Sequence, residues 1–130
     1  MNTETPQPIE VVTALMTAME HLDYDTAMTH VSDECEYVNV PPIPTVHGPD
    51  GIRGVLEPFF APVLSNEFVI RATAEAGDVV FMERLDRHQL ANGWVELPVT
   101  GVFEVHDGLI TAWRDYFNFA TIEQGFTEKS

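Results

Sequence analysis

Over residues 9–21 the apolar positions Val12, Leu15, Met16 and Met19 recur at spacings of three and four, which predicts a helix with one buried face. Residues 1–8 are polar and acidic and read as a frayed tail. A second short helix is expected over 25–31. Residues 35–40 alternate between apolar and polar and read as a strand, closed by Pro41, Pro42 and Pro44, which have no N–H to give to a ladder. Gly48-Pro49-Asp50-Gly51 marks a turn or helix start. Ile52, Val55, Leu56, Phe59 and Phe60 then return at helical spacing, with Pro58 and Pro62 bending or closing that helix.

After Val63 the period changes to two. Residues 68–76, 79–90, 94–106 and 110–119 are rich in β-branched and aromatic residues. The breaks between them are Gly77-Asp78, Asn92-Gly93 and Asp107-Gly108, pairs suited to tight hairpins because glycine accepts positive φ. Helices first and an antiparallel meander second is an α+β order, with helices packed on one face of a curved sheet. Residues 9–130 are expected to form a single domain.

Composition narrows the function. At 130 residues the chain is long enough to enclose a pocket without disulfides or metal. Its formal net charge of −15 argues against nucleic acid and anionic membranes as partners. No apolar run reaches the roughly 18 residues that span a bilayer. Cys35 is the sole cysteine, so no intrachain disulfide or cysteine-paired zinc site can form, and it reads as a small buried hydrophobe. The five histidines show no metal-binding spacing, and no metal is expected. With no basic, apolar leader at the start, the expectation is a soluble cytoplasmic protein.

Alternation sorts the strand residues onto two faces. Trp113, Asp115 and Phe117 share one face; Leu97, Val99, Gly101 and Phe103 share another; Tyr37 and Asn39 share a third. A helix-covered sheet needs a mostly apolar inner face, which turns Asp115 inward among aromatic rings. Arg114 then faces out and reads as structural. The strand after Gly77-Asp78 leaves its orientation open. Turning Met82, Arg84, Asp86 and His88 inward would put Phe81 and Leu85 outside. In that orientation Arg84 can offer separate edges of its guanidinium to Asp86 and Asp115, the natural way to hold charge in an apolar cavity.

Such a trio has a definite chemistry. Two desolvated carboxyl groups resist double ionisation, and the arginine opposes that effect. The low-cost state has one Asp ionised, one protonated and Arg84 cationic, which supplies a base and an acid together. Tyr37, Asn39 and the ionised Asp can fix one water molecule. A fixed water beside a base and facing an acid suits one-step addition of water across a strained neutral ring.

Tyr37-Val38-Asn39-Val40-Pro41, then Glu83-Arg84-Leu85-Asp86, then Gly101-Val102-Phe103 and Trp113-Arg114-Asp115-Tyr116-Phe117, in that order, resemble the limonene-1,2-epoxide hydrolase family. The resemblance implies a nuclear-transport-factor-like or ketosteroid-isomerase-like fold, an α+β barrel or cone whose strongly curved mixed sheet and helices enclose a deep apolar pocket. It implies a homodimer without a cofactor, acting on a small apolar epoxide and water to give a vicinal diol. It makes Asp115 the base that holds the nucleophilic water with Tyr37 and Asn39, Asp86 the proton donor, and Arg84 the bridge. In such a cone Met16, Met19, Phe59, Phe60, Met82, His88, Leu97, Val99, Trp113 and Phe117 are expected against the substrate. Two departures accompany it: a 41–47 loop one residue longer than expected, and His88 where an apolar residue is expected. His47, His88 and His106 read as exposed or rim residues.

Other readings stay open in the same fold. A ketosteroid-isomerase-like or polyketide-cyclase-like enzyme would need one carboxylate base and an oxyanion-holding pair, without a second Asp bridged by arginine. A non-catalytic binding module would tolerate Asp86→Asn.

Overall fold

The computed structural model describes residues 5–129, so residues 1–4 of the expected tail lie outside the described residues. The elements run α1 (Pro8–Glu20), α2 (Tyr24–Met28), β1 (Val31–Val38), β2 (Val46–His47), α3 (Gly48–Phe60), β3 (Ser65–Ala76), β4 (Val79–Leu90), β5 (Gly93–His106), β6 (Leu109–Tyr116) and α4 (Phe119–Lys129). Proline at the first position suits the start of α1, because the first-turn N–H has no helical partner in any case. The Glu10 carboxylate accepts the Gln7 N–H at 3.0 Å and completes that start.

The six strands form one sheet in the order β2-β1-β6-β5-β4-β3. The long meander β3–β6 is antiparallel as its turns require, and β1 adds to β6 in parallel, making the sheet mixed. Bulges interrupt the β3–β4, β5–β6 and β1–β6 ladders, and bulges bend strands. The curved sheet stays open, with β2 and β3 as its edges, rather than closing into a barrel. Helix α1 crosses the inner face against β3, β4, β5 and β6, while α3 covers β1 and β2. None of the described helices is long and apolar enough to cross a membrane.

Several boundaries differ from the expected ones: β1 runs Val31–Val38 rather than 35–40, and β3 begins at Ser65 rather than Phe68. Helix α2 stops at Met28 rather than Val31, because the His30 carbonyl already accepts the Ile110 N–H at 2.8 Å in the β1–β6 ladder. Strand β6 stops at Tyr116 rather than Phe119. Asn118 turns the chain there, its side-chain oxygen accepting the Ala120 N–H at 3.0 Å. The helix that follows, α4, was not anticipated, although Phe119, Ile122 and Phe126 stand at helical spacing. Gly125 lies at its contact with β5, where a Cβ would come within 2.8 Å of Val95. A residue that weakens helix propensity is thus the one that permits the docking.

The orientation of β4 is settled by burial. Val80, Met82, Arg84, Asp86, His88 and Leu90 are buried, and Phe81 is left 41% exposed. On the outer side Arg87 stacks over Trp94 and pairs with Glu67 and Glu96. Cys35 is buried as expected, which pushes its thiol up to about 12, with Glu36 adding to the effect.

Candidate active site

Strand register places the polar residues. In the parallel β1–β6 pair Tyr37 faces Trp113 and Val38 faces Arg114, so Asn39, one residue beyond the end of β1, comes beside Asp115. The Tyr37 and Trp113 rings meet at 4.3 Å between centroids. On β4, Arg84 and Asp86 point to the same face as Asp115, but β5 lies between them. Two strand spacings are about 9.6 Å, so the arginine must cross its neighbour strand to reach β6.

Gly101 is where it crosses. This residue pairs with Met82 on one side and Asp115 on the other. A Cβ built there would meet Arg84 Nη1 at 2.7 Å, Phe103 Cε1 at 2.9 Å and Asp115 Oδ1 at 3.0 Å. The absent side chain is therefore the floor of the site, a role alternation alone did not reveal. Gly101→Ala is expected to cost about 1–3 kcal/mol by forced displacement in a packed interior. Because the displaced atoms belong to the site, activity should fall at least about tenfold. Denaturant unfolding and steady-state kinetics on one preparation check both.

The geometry at the cluster is close. Arg84 Nε donates to Asp86 Oδ1 at 2.7 Å and Nη2 to Asp86 Oδ2 at 3.3 Å, while Nη2 also reaches Asp115 Oδ2 at 3.0 Å. The three residues are 3%, 5% and 6% exposed. Burial works against the arginine's charge, but the two carboxylates outweigh it and hold its pKa above the ordinary value. Burial pushes the Asp86 carboxyl up to about 6, with Arg84 pulling down and the Asp115 charge adding to the rise. Burial, and then the Asp115 charge, raise the Tyr37 hydroxyl, against a downward pull from Asn39. Among the described residues, four buried polar atoms here have no protein hydrogen-bond partner: Asp115 Oδ1, Arg84 Nη1, Asn39 Nδ2 and Trp113 Nε1.

These groups line one cavity of about 310 Å³. Tyr37, Asn39, Arg84, Asp86 and Asp115 are all on its wall, as are Met16, Met19, Phe59, Phe60, His88, Leu97, Val99, Trp113 and Phe117. Met82 is not; it is buried in the core on the same face of β4, two residues before Arg84. The cavity also takes Phe68 from β3 and Phe119 and Ile122 from α4, which the strand reading of that segment could not supply. Among the described residues no group of three or more His, Cys, Asp and Glu side chains is placed to hold a metal ion.

His88 is neither exposed nor at the rim; it is 1% exposed. Its Nδ1 lies 2.5 Å from Asn66 Oδ1, and Asn66 Nδ2 donates to the Met19 carbonyl at 3.1 Å. Burial, and then the charge of Arg84, lower its pKa to about 4.

Asp86 and His88 therefore pull stability in opposite directions with pH. The raised pKa of Asp86 contributes stability that is full below 3.8 and lost as pH rises through about 6. The depressed pKa of His88 contributes stability that is full above 6.5 and lost as pH falls through about 4. Relative to wild type, Asp86→Asn should gain stability as pH rises across that window, and His88→Leu should gain as pH falls. Melting temperatures measured from pH 4 to pH 7 test this, and differences independent of pH would contradict it.

The model of the limonene-1,2-epoxide hydrolase catalytic domain matches residues 6–127. The chain belongs to that family. It is similar to the epoxide hydrolase EphG of Mycobacterium tuberculosis, 33% identical over 119 residues that span 88% of this chain and 75% of that protein. A solved limonene-1,2-epoxide-hydrolase-like epoxide hydrolase from M. tuberculosis superposes with a TM-score of 0.78 at 31% identity, covering 94% of this chain and 90% of that one. A SnoaL-like polyketide cyclase from Shewanella putrefaciens reaches 0.82 at 19% identity, covering 96% and 99%, a likeness of fold alone.

Proposed function

We propose that this family member is a cofactor-independent epoxide hydrolase that adds water to small apolar, cyclic or terpene-like epoxides in one step. The observation that carries the reading is a single buried arginine bridging two carboxyl groups in a mostly apolar cavity, with Asp115 Oδ1 and Asn39 Nδ2 both buried and without a protein partner among the described residues. Asp115, Asn39 and Tyr37 hold one water molecule. Asp86, whose Oδ2 has only the long 3.3 Å contact to Arg84, carries the proton for the epoxide oxygen.

The bond changes balance without a net change of charge. The water oxygen bonds to a ring carbon as that carbon's bond to the epoxide oxygen breaks. The water gives a proton to Asp115, and the epoxide oxygen takes one from Asp86. The trio begins with Arg84 cationic, Asp115 ionised and Asp86 protonated, and ends with the two acids exchanged, neutral overall both times. A dry cavity strongly disfavours uncompensated charge, so this neutrality is what lets the reaction run there. A proton passed back from Asp115 to Asp86 restores the start. The enzyme is taken to be a homodimer, as its family resemblance leads one to expect.

A diol assay across cyclic terpene, cycloalkene and styrene epoxides tests the activity. Vicinal diol from one or more of the ring epoxides is expected, and no diol from any of them would contradict it.

A further inference from the structure

Among the described residues, the trio and its water-holding partners account for every polar side chain on the cavity wall except His88 and the Trp113 indole. His88 comes from β4, two residues beyond Asp86 on the same face, hence about 6.5–7 Å along the strand from the acid. It is fully buried and stands among Phe59, Phe60 and Phe126, with ring centroids at 5.6, 5.6 and 5.9 Å. A polar ring in that position is costly to bury unless it is used.

Its hydrogen bonding fixes which nitrogen carries the proton. The Met19 carbonyl can only accept, so the Asn66 NH₂ group is turned toward it, and Asn66 Oδ1 is left facing His88. An oxygen acceptor at 2.5 Å from Nδ1 requires Nδ1 to donate. The ring is neutral, as its burial and the nearby arginine demand. Nε2 then has a lone pair and no proton, and the ring that carries it lines the cavity. It lies at the tip of the ring, away from the backbone and from the edge held by Asn66.

We infer that His88 Nε2 accepts a hydrogen bond from a hydroxyl group of the substrate, so that the preferred substrates are epoxy alcohols whose hydroxyl lies several bonds from the epoxide ring. This rests on the epoxide hydrolase reading above and narrows its substrate class. A hydroxyl donor suits the site better than a cation, because Arg84 already stands close to the imidazole. It also suits the site better than a ketone or ether, which have no proton to give. Asn66 and Met19 act as positioning groups that hold the tautomer.

The test compares two substrates of equal size, a cyclohexene oxide bearing a hydroxymethyl group across the ring from the epoxide and its ethyl counterpart. Wild-type kcat/KM is expected to favour the hydroxymethyl compound by about 10–100-fold, the scale of leaving a buried acceptor unpaired. In His88→Leu the ratio should fall to about one or invert, with the loss for the hydroxymethyl compound carried in KM. His88→Gln, which retains an acceptor, should stay on the hydroxymethyl side of parity. Equal turnover of both compounds by wild type would overturn the inference and leave the epoxide hydrolase reading standing. Diol from neither would overturn the inference, and the hydrolase reading with it only if the ring epoxides of the wider assay give none. The wild-type comparison needs no variant, so a failure of His88→Leu to fold does not shield the proposal.

Discussion

Asp115→Asn and Asp86→Asn are each expected to lower kcat by about 10²–10⁴-fold while the protein stays folded, the scale of a positioned base or acid. Asparagine matches aspartate in shape and can still accept from Arg84, so the cavity wall is kept. What each change removes differs. Without the Asp115 carboxylate, the water held near Asn39 and Tyr37 has nowhere to send its proton. Without the Asp86 carboxyl, the epoxide oxygen would leave as an alkoxide in a dry site. Because base and acid act in the same step, the double variant should be little worse than the poorer single one. Diol formation under saturating substrate, with circular dichroism to confirm folding, checks this. Wild-type-like turnover in either single variant would remove that residue from its assigned role.

Arg84→Ala is expected to do damage of a different kind. It leaves Asp86 and Asp115 buried with no counter-charge, and breaking a buried ion pair from one side typically costs about 3–5 kcal/mol. The guanidinium that holds the Asp115 carboxylate in place would be gone, and the placement of the base would be lost along with the stability. Activity should therefore vanish and the denaturant midpoint should drop together. Arg84→Lys separates the two effects. A lysine restores a charge but not the planar fork that reaches both carboxyl groups while crossing Gly101. Part of the stability should return and the activity should not. An Arg84→Ala protein as stable as wild type would mean that the acids are not held as charged partners.

The sequence made much of this legible because strand periodicity is simple. The turns expected at Gly77-Asp78 and Asp107-Gly108 separate β3 from β4 and β5 from β6 as observed, and the one expected at Asn92-Gly93 falls one residue earlier, at Ala91-Asn92. The faces of β5 and β6 follow from their apolar residues. Strand β4 resists the same treatment because its inner face carries Arg84, Asp86 and His88, so hydrophobicity points both ways there. Periodicity leaves that face open, and the family resemblance, which makes Arg84 and Asp86 site residues, is what points to the inner one. Helix α4 stayed hidden because its apolar residues are few and Gly125 interrupts them, and the reason for that glycine is Val95 on another element. His88 was placed at the rim because a lone histidine does not reveal Asn66, which lies opposite it on β3. Gly101 was visible as a residue and silent as a function, since its role is set by two side chains from neighbouring strands.

The account stands or falls on direct attack by water, with no ester to the protein. A single turnover in oxygen-labelled water, with enzyme in excess over a cyclic epoxide, addresses this most directly. One labelled oxygen in the diol and none in the protein is the expected result. Label in the carboxyl group of Asp115 or Asp86 would mean that a carboxylate, rather than a bound water, opens the ring.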